Sequence, residues 1–215
     1  MMTMYKVFIV EDHEIFCKGL EAVLDEIKEV SLAGTASSGE QFLNMLKVTE
    51  TDVVFMDIRL PGINGIEATR EALKIKPQLN VIALTMFNEE GYLQQMLEAG
   101  ARGFLLKNIN KTDLEKAINT VVSGNLFFSE ELMTVLAGKY LGRKEERTET
   151  PVFNEKELQI LTLLCQGLTN MEIADKIHLS HRTVDGYRAK MIEKTGVTNT
   201  IGLVVYAIKN KLITV

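Results

Sequence analysis

The sequence predicts an α/β domain followed by a small all-helical domain. Five short β-branched or apolar runs interleave with five amphipathic stretches over the first 122 residues, and from Pro151 onward every segment has helical periodicity. Length agrees, because 215 residues are long for one domain and comfortable for two, domains clustering near roughly 100–150 residues.

In the first region the strand-like runs are Tyr5–Val10, Val30–Ala36, 52–57, 81–85 and Gly103–Leu106. Amphipathic stretches at 14–26, 39–47, Gly65–Ile75, 90–98 and 112–122 lie between and after them. Such alternation implies a parallel sheet covered on both faces. Right-handed crossovers make it a doubly wound sandwich. Residues 129–141 read as a lone helix packing against something. Residues 142–150, with Arg143, Lys144, Glu145, Glu146 and Arg147, lack an apolar period and read as a solvated linker. In the tail, Asn154 with Glu157 and Thr169 with Glu172 match capping boxes. Ser180 is the expected N-cap of a third helix, and 200–211 gives a fourth. The turn between the first two tail helices contains Gly167, and only Leu179 and Ser180 separate the second from the third. Tight joints between short helices are the signature of a helix-turn-helix. The expected division is 1–124, a linker helix and charged linker at 125–150, and 151–215.

Composition excludes several classes. Apolar residues at 46% and charged residues at 25% are ordinary for a soluble globular chain. The N-terminus shows no basic leader followed by an apolar run, and stretches such as 53–56 or 203–208 fall far short of the roughly 18 residues of a membrane span. A cytoplasmic protein with no membrane association is expected. Cys17 and Cys165 each fall within apolar helical patterns and read as small buried hydrophobes. No metal-type Cys/His spacing exists. The net charge of −5 divides into −6 for residues 1–128, −1 for 129–150 and +2 for 151–215. An acidic front half and a mildly basic tail fit a regulatory domain joined to a nucleic-acid binder.

In doubly wound sheets, ligands bind beyond the carboxyl ends of the strands, where strand order reverses. There the first strand ends in Glu11 and Asp12, the third in Asp57 and the fourth in Thr85, and Lys107 follows the fifth. Three crowded carboxylates repel one another and call for a hard divalent cation; magnesium, which favours one or two carboxylates with water and phosphate oxygens, suits the set. A hydroxyl and an ammonium at the opposite rim could hold the oxygens of a phosphoryl group on Asp57.

This set, with Leu60-Pro61-Gly62-Ile63-Asn64-Gly65 after the aspartate, resembles the receiver domain of two-component response regulators over residues 5 to 122. The resemblance implies a flavodoxin-like (βα)5 fold and a histidine kinase that donates phosphate to Asp57. It also implies magnesium held by Asp12, Asp57 and the backbone carbonyl of Arg59, with Glu11 supporting through water. Thr85 and Phe104 would be the pair that rearranges, Phe104 turning from an exposed to a buried rotamer as Thr85 moves inward. Arg59 and Phe87 would flank the phosphoryl group. The family often has proline after the lysine, commonly through a cis bond, where Asn108 stands here; a non-proline cis bond costs about 2.5–4 kcal/mol.

Residues 154–211 resemble the LuxR-type helix-turn-helix of the NarL/FixJ class. The matching pieces are Phe153-Asn154-Glu155-Lys156-Glu157-Leu158, Gly167-Leu168-Thr169-Asn170-Met171-Glu172-Ile173-Ala174, Ser180-His181-Arg182-Thr183-Val184 and Lys194-Thr195-Gly196-Val197. On the third tail helix, Val184, Tyr187 or Arg188, Met191 and Thr195 recur at helical spacing and should face the core. The opposite face carries Arg182, Asp185, Gly186, Ala189, Lys190 and Glu193, and would enter the major groove. Thr169, Asn170, Ser180, Thr183, Arg188 and Lys190 are placed for phosphates, and His181 for a cap or a phosphate. Where many relatives have a basic residue, Asp185 either accepts from cytosine or caps the helix. Apolar Leu203, Val204, Ala207 and Ile208 lie on the last helix. By resemblance part of it pairs two DNA-bound tails; simple packing against the third tail helix is the alternative, and both can hold. The expected protein is thus a transcriptional regulator that binds double-stranded DNA under control of phosphorylation, as a homodimer when phosphorylated or DNA-bound.

Two rivals compete. Haloacid-dehalogenase-type phosphatases also use an aspartate nucleophile, but place a second aspartate two residues later, where this chain has Arg59, and no lid insertion is evident. No enzyme activity beyond self-catalysed aspartyl phosphorylation and dephosphorylation is therefore expected. The other rival is a regulator acting through protein contacts alone, its tail no longer binding DNA.

Overall fold

A computed structural model describes residues 4–86, 90–108, 110–141 and 151–213. The chain forms two compact units, Met1–Ser129 and Glu130–Val215.

In the first unit, β1 (Tyr5–Val10), β2 (Val30–Ala36), β3 (Val53–Asp57), β4 (Asn80–Thr85), β5 (Gly103–Leu106) and β6 (Phe127–Phe128) alternate with α1 (Glu14–Asp25), α2 (Gly39–Leu46), α3 (Gly65–Ile75), α4 (Glu90–Ala99) and α5 (Lys111–Val122). All pairings are parallel, in the order β2-β1-β3-β4-β5-β6. The chain leaves β1 for one neighbour and returns on its other side at β3, so strand order reverses between them. The carboxyl ends of β1 and β3 consequently open onto one crevice.

Burial on both faces explains the continuous apolar runs. Val7, Ile9, Val53, Phe55, Ile82, Leu84 and Leu105 face one way and meet Leu20 and Leu24 of α1 and Leu114, Ala117, Ile118 and Val121 of α5. On the other face Phe8 meets Phe42 of α2, their ring centroids 5.2 Å apart. Side-chain oxygens of Ser38, Asn64 and Asn110 accept the free amides at the starts of α2, α3 and α5.

The sheet has one strand more than the five expected. Two residues are too few to show a period of two, which is why β6 is silent in the sequence. Phe127 and Phe128 pair with Gly103 and Phe104, and Phe128 stacks on Phe104 at 4.8 Å.

The second unit contains α6 (Glu130–Leu141), α7 (Glu155–Cys165), α8 (Asn170–Lys176), α9 (His181–Thr195) and α10 (Thr200–Lys209). Helix α6 packs on α10, which also packs against α7 and α9. The linker expected at 142–150 lies outside the described residues. Both capping boxes form, Asn154 with Glu157 and Thr169 with Glu172, and Ser180 caps α9 by accepting from Thr183. Between α8 and α9 the joint runs over 177–180 and is longer than expected. His178 takes a left-handed conformation there (φ 55°), and this ends α8 two residues early. Among the described residues, no helix is long and apolar enough to cross a membrane.

Candidate functional site

Side chains far apart in sequence meet where β1, β3 and β5 end. Nζ of Lys107 lies 2.8 Å from Oδ2 of Asp57 and 2.8 Å from Oε2 of Glu11. Glu11, Asp57 and Thr85 are buried, whereas Asp12 is exposed. Potential ligand atoms of Glu11, Asp12, His13 and Asp57 all fall within 4.8 Å of one another. The backbone makes this convergence exact in register. Lys107 N–H donates to the Thr85 carbonyl at 2.9 Å, and Gly65 N–H donates to Ile58 O at 3.0 Å, holding the start of α3 against the end of β3. Any β-carbon at Gly65 would stand 2.0 Å from the Asp57 carbonyl oxygen, so glycine is the residue that permits this approach.

Electrostatics make the pocket hungry for positive charge. Burial pushes the Asp57 carboxyl up to about 6, with Glu11 adding to the rise against the pull of Lys107. Burial works against the Lys107 ammonium, yet its bonds to Asp57 and Glu11 outweigh this and raise its pKa. Both partners rising is consistent: the one ammonium stays charged but is shared between two carboxylates and satisfies neither fully. A further sign is Oε2 of Glu11, which is buried without a hydrogen bond of acceptable geometry although Lys107 stands 2.8 Å away. Three carboxylates with hard oxygen donors and one ammonium leave an unmet charge that a divalent cation fits.

The remaining expected residues are placed as follows. Arg59 is exposed; its N–H donates to Oδ1 of Asp57 at 3.2 Å and its guanidinium carbon lies 6.0 Å from the centroid of the Tyr92 ring. Thr85 donates its hydroxyl to the Met86 carbonyl at 3.1 Å. Phe104 is fully buried under Phe128, so the exposed rotamer expected of it is not the one found. The unforeseen β6 is the cause, since it supplies the covering ring. Phe87 lies outside the described residues. No cis peptide occurs among the described residues, so the bond between Lys107 and Asn108 is trans.

His13 escaped the sequence reading. Its Nδ1 lies 3.0 Å from Oε1 of Glu11 and 3.0 Å from Oδ1 of Asp12. The signal was available, since the residue directly follows the acidic pair. Both cysteines are buried, and burial raises each thiol, Cys165 to about 12; neither is a nucleophile.

In the tail, Val184 and Met191 of α9 are buried and Arg182, Thr183, Asp185, Gly186, Ala189, Lys190 and Glu193 are exposed, as the periodicity predicts. Thr169 and Asn170 are half-buried, and Ser180 is exposed. Of Tyr187 and Arg188, the two residues offered for the core at this step, Arg188 turns inward. Its side chain is 13% exposed, and it donates to Thr200 on α10 and to Oδ1 of Asp185 at 3.5 Å. Asp185 also accepts from Asn170 of α8 and lies 3.0 Å from Nδ1 of His181. It thus joins α8 to α9 through side chains, while Ser180 does the capping. On α10, Leu203, Val204 and Ala207 are buried and Ile208 is half-buried, which fits the packing alternative.

Comparisons with known proteins identify both units. Residues 7–119 match the response regulator receiver domain, and residues 151–207 match the luxR family of bacterial regulatory proteins. The response regulator GacA of Pseudomonas syringae pv. syringae (strain B728a) is 31% identical over 210 residues, 98% of each chain. The response regulator UvrY of Escherichia coli (strain K12) is 32% identical over 211 residues, covering 97% of this chain and 96% of that one. Among solved structures, two RcsB dimers bound to two parallel DNAs superpose with a TM-score of 0.58 at 27% identity, over 96% of this chain and 98% of that one.

Proposed function

This chain belongs to the two-component response regulators, with a receiver domain followed by a LuxR-type domain, and on that premise we propose that a phosphoryl group on Asp57 governs how its tail engages double-stranded DNA. The observation that carries this reading is the Lys107 ammonium, 2.8 Å from carboxylates at the ends of two other strands.

A sensor histidine kinase presents a phosphohistidine. A carboxylate oxygen of Asp57 attacks its phosphorus, the P–N bond breaks, and a P–O bond forms. Asp12, Asp57 and the Arg59 carbonyl would hold magnesium, with Glu11 acting through water. Bound there, the ion would neutralise charge gathering on the transferring oxygens. Lys107 shifts from the carboxylate to a phosphoryl oxygen, and Thr85 releases the Met86 carbonyl to donate to another. The modification adds about −1.5 to −2 charges, and charge-assisted bonds to it are roughly twice as strong as neutral ones. They supply the differential affinity by which a phosphoryl group biases a two-state receiver. No reaction on a separate substrate is proposed, because Arg59 replaces the second aspartate a phosphatase of this chemistry needs.

On the tail, Arg182, Gly186, Ala189 and Lys190 form the face of α9 that meets the major groove, and Thr169, Asn170, Ser180 and Thr183 stand at the phosphates. Arg188 keeps α9 seated on α10 and orients that face rather than reaching a phosphate. The protein would act in the cytoplasm, where phosphohistidine and DNA are both within reach.

The direct test is phosphorylation by a small phosphodonor with magnesium, followed by mass spectrometry of the intact protein. One phosphoryl group should be taken up by the native chain and none by Asp57→Asn. Full labelling of that variant would refute the assignment.

A further inference from the structure

We propose that His13 is a nitrogen ligand of the divalent-cation site, so that the receiver binds manganese and the metals beyond it in the divalent affinity series more tightly, relative to magnesium, than carboxylates alone would allow. The inference rests on the reading of the acidic crevice as a cation site and adds a donor to it.

The geometry places the imidazole nitrogen beside the carboxylates that would hold the ion. In an octahedron with bonds of about 2.1 Å, neighbouring ligand atoms are about 3.0 Å apart and opposite ones about 4.2 Å. Nδ1 of His13 stands 3.0 Å from Oε1 of Glu11 and 3.0 Å from Oδ1 of Asp12, and the whole set with Asp57 spans no more than 4.8 Å. The His13–Asp12 separation is that of two neighbouring ligands, and Glu11 lies close enough to act through water. His13 is also free to adjust. It sits at the N-cap of α1, its side chain makes no capping bond there, and it is 69% exposed.

Charge favours the same conclusion. Glu11, Asp12 and Asp57 carry three negative charges against the single ammonium of Lys107. Binding releases to solvent the Nδ1 proton now shared with the carboxylates, and the ring then lends an electron pair without adding to that repulsion. Imidazole strengthens binding along the series from manganese to zinc, whereas magnesium gains little from nitrogen. The other two histidines, His178 and His181, lie in the second unit, so a nitrogen signal can be assigned by substitution.

Pulsed electron paramagnetic resonance of the full-length protein with one equivalent of Mn2+ provides the test. Nitrogen-14 modulation should appear, convert to the nitrogen-15 pattern when histidine is isotopically labelled, and vanish in His13→Ala while Mn2+ stays bound. Competition titration should show Mn2+ affinity falling about tenfold in that variant, the lower end of what losing even an outer-shell partner costs, with Mg2+ affinity nearly unchanged. Bound Mn2+ without nitrogen modulation, or modulation that survives His13→Ala, would overturn the role of His13 and leave the cation site standing. Failure of Mn2+ and Mg2+ alike to bind the native chain would overturn the site and His13 together. Isotope labelling needs no substitution, so the result does not depend on how the variant folds.

Discussion

Asp57 is held at a cost to stability, and the cost has a sign that can be measured. Burial lifts its carboxyl to about 6 from an ordinary 3.8. Between those values the folded chain binds a proton that the unfolded chain has released. Stability therefore falls as pH rises through this window, and the loss is complete above it. At about 1.4 kcal/mol per pKa unit the upper bound is near 3 kcal/mol. With a chelator present, Asp57→Asn should be more stable than the native chain by about 1–3 kcal/mol at pH 7.5, and by little at pH 4, in urea unfolding. Equal or lower stability at pH 7.5 would show that Lys107 compensates burial in full. The residue proposed to take the phosphoryl group thus makes the unliganded form less stable, a trade expected where charge is concentrated for function.

Among the elements, α7 shows how a local sequence signal acquires a tertiary partner. Glu157 completes the capping box with Asn154, yet it is also buried, and Lys194 of α9 lies 2.7 Å from it. Burial works against the carboxylate, but Lys194 and the Asn154 backbone outweigh it and hold its pKa below the ordinary 4.5. The contribution is present above that value and is lost as pH falls through the lowered one. Glu157→Ala should destabilise the second unit by about 1–3 kcal/mol at pH 7, nearer the lower figure because Lys194 is 39% exposed and partly screened. Thermal unfolding followed by circular dichroism would register this, and the difference should shrink below pH 4.5. A pH-independent difference would mean that packing, not charge, is what the glutamate supplies.

For the whole molecule, the reading predicts that phosphorylation and DNA binding are linked. Sedimentation with a phosphodonor and magnesium should show a larger dimer fraction than without, and a mobility shift should tighten in parallel. Affinity should fall steeply with salt, as counterion release from phosphates requires. An unphosphorylated chain that binds and dimerises equally well would uncouple the two units. Much of this was legible in the residues: alternating runs gave the layered first unit, capping pairs gave the starts of α7 and α8, and five spaced polar residues marked the crevice. These signals are local, governed by backbone periodicity and by amides that need acceptors within three residues. What the tertiary structure alone decided is which distant groups touch. It turned Arg188 toward Thr200, tied Asp185 to Asn170, and buried Phe104 beneath a strand two residues long. Each depends on side-chain direction and on neighbours supplied by other elements. Sequence spacing carries no information about a partner that folding brings from elsewhere.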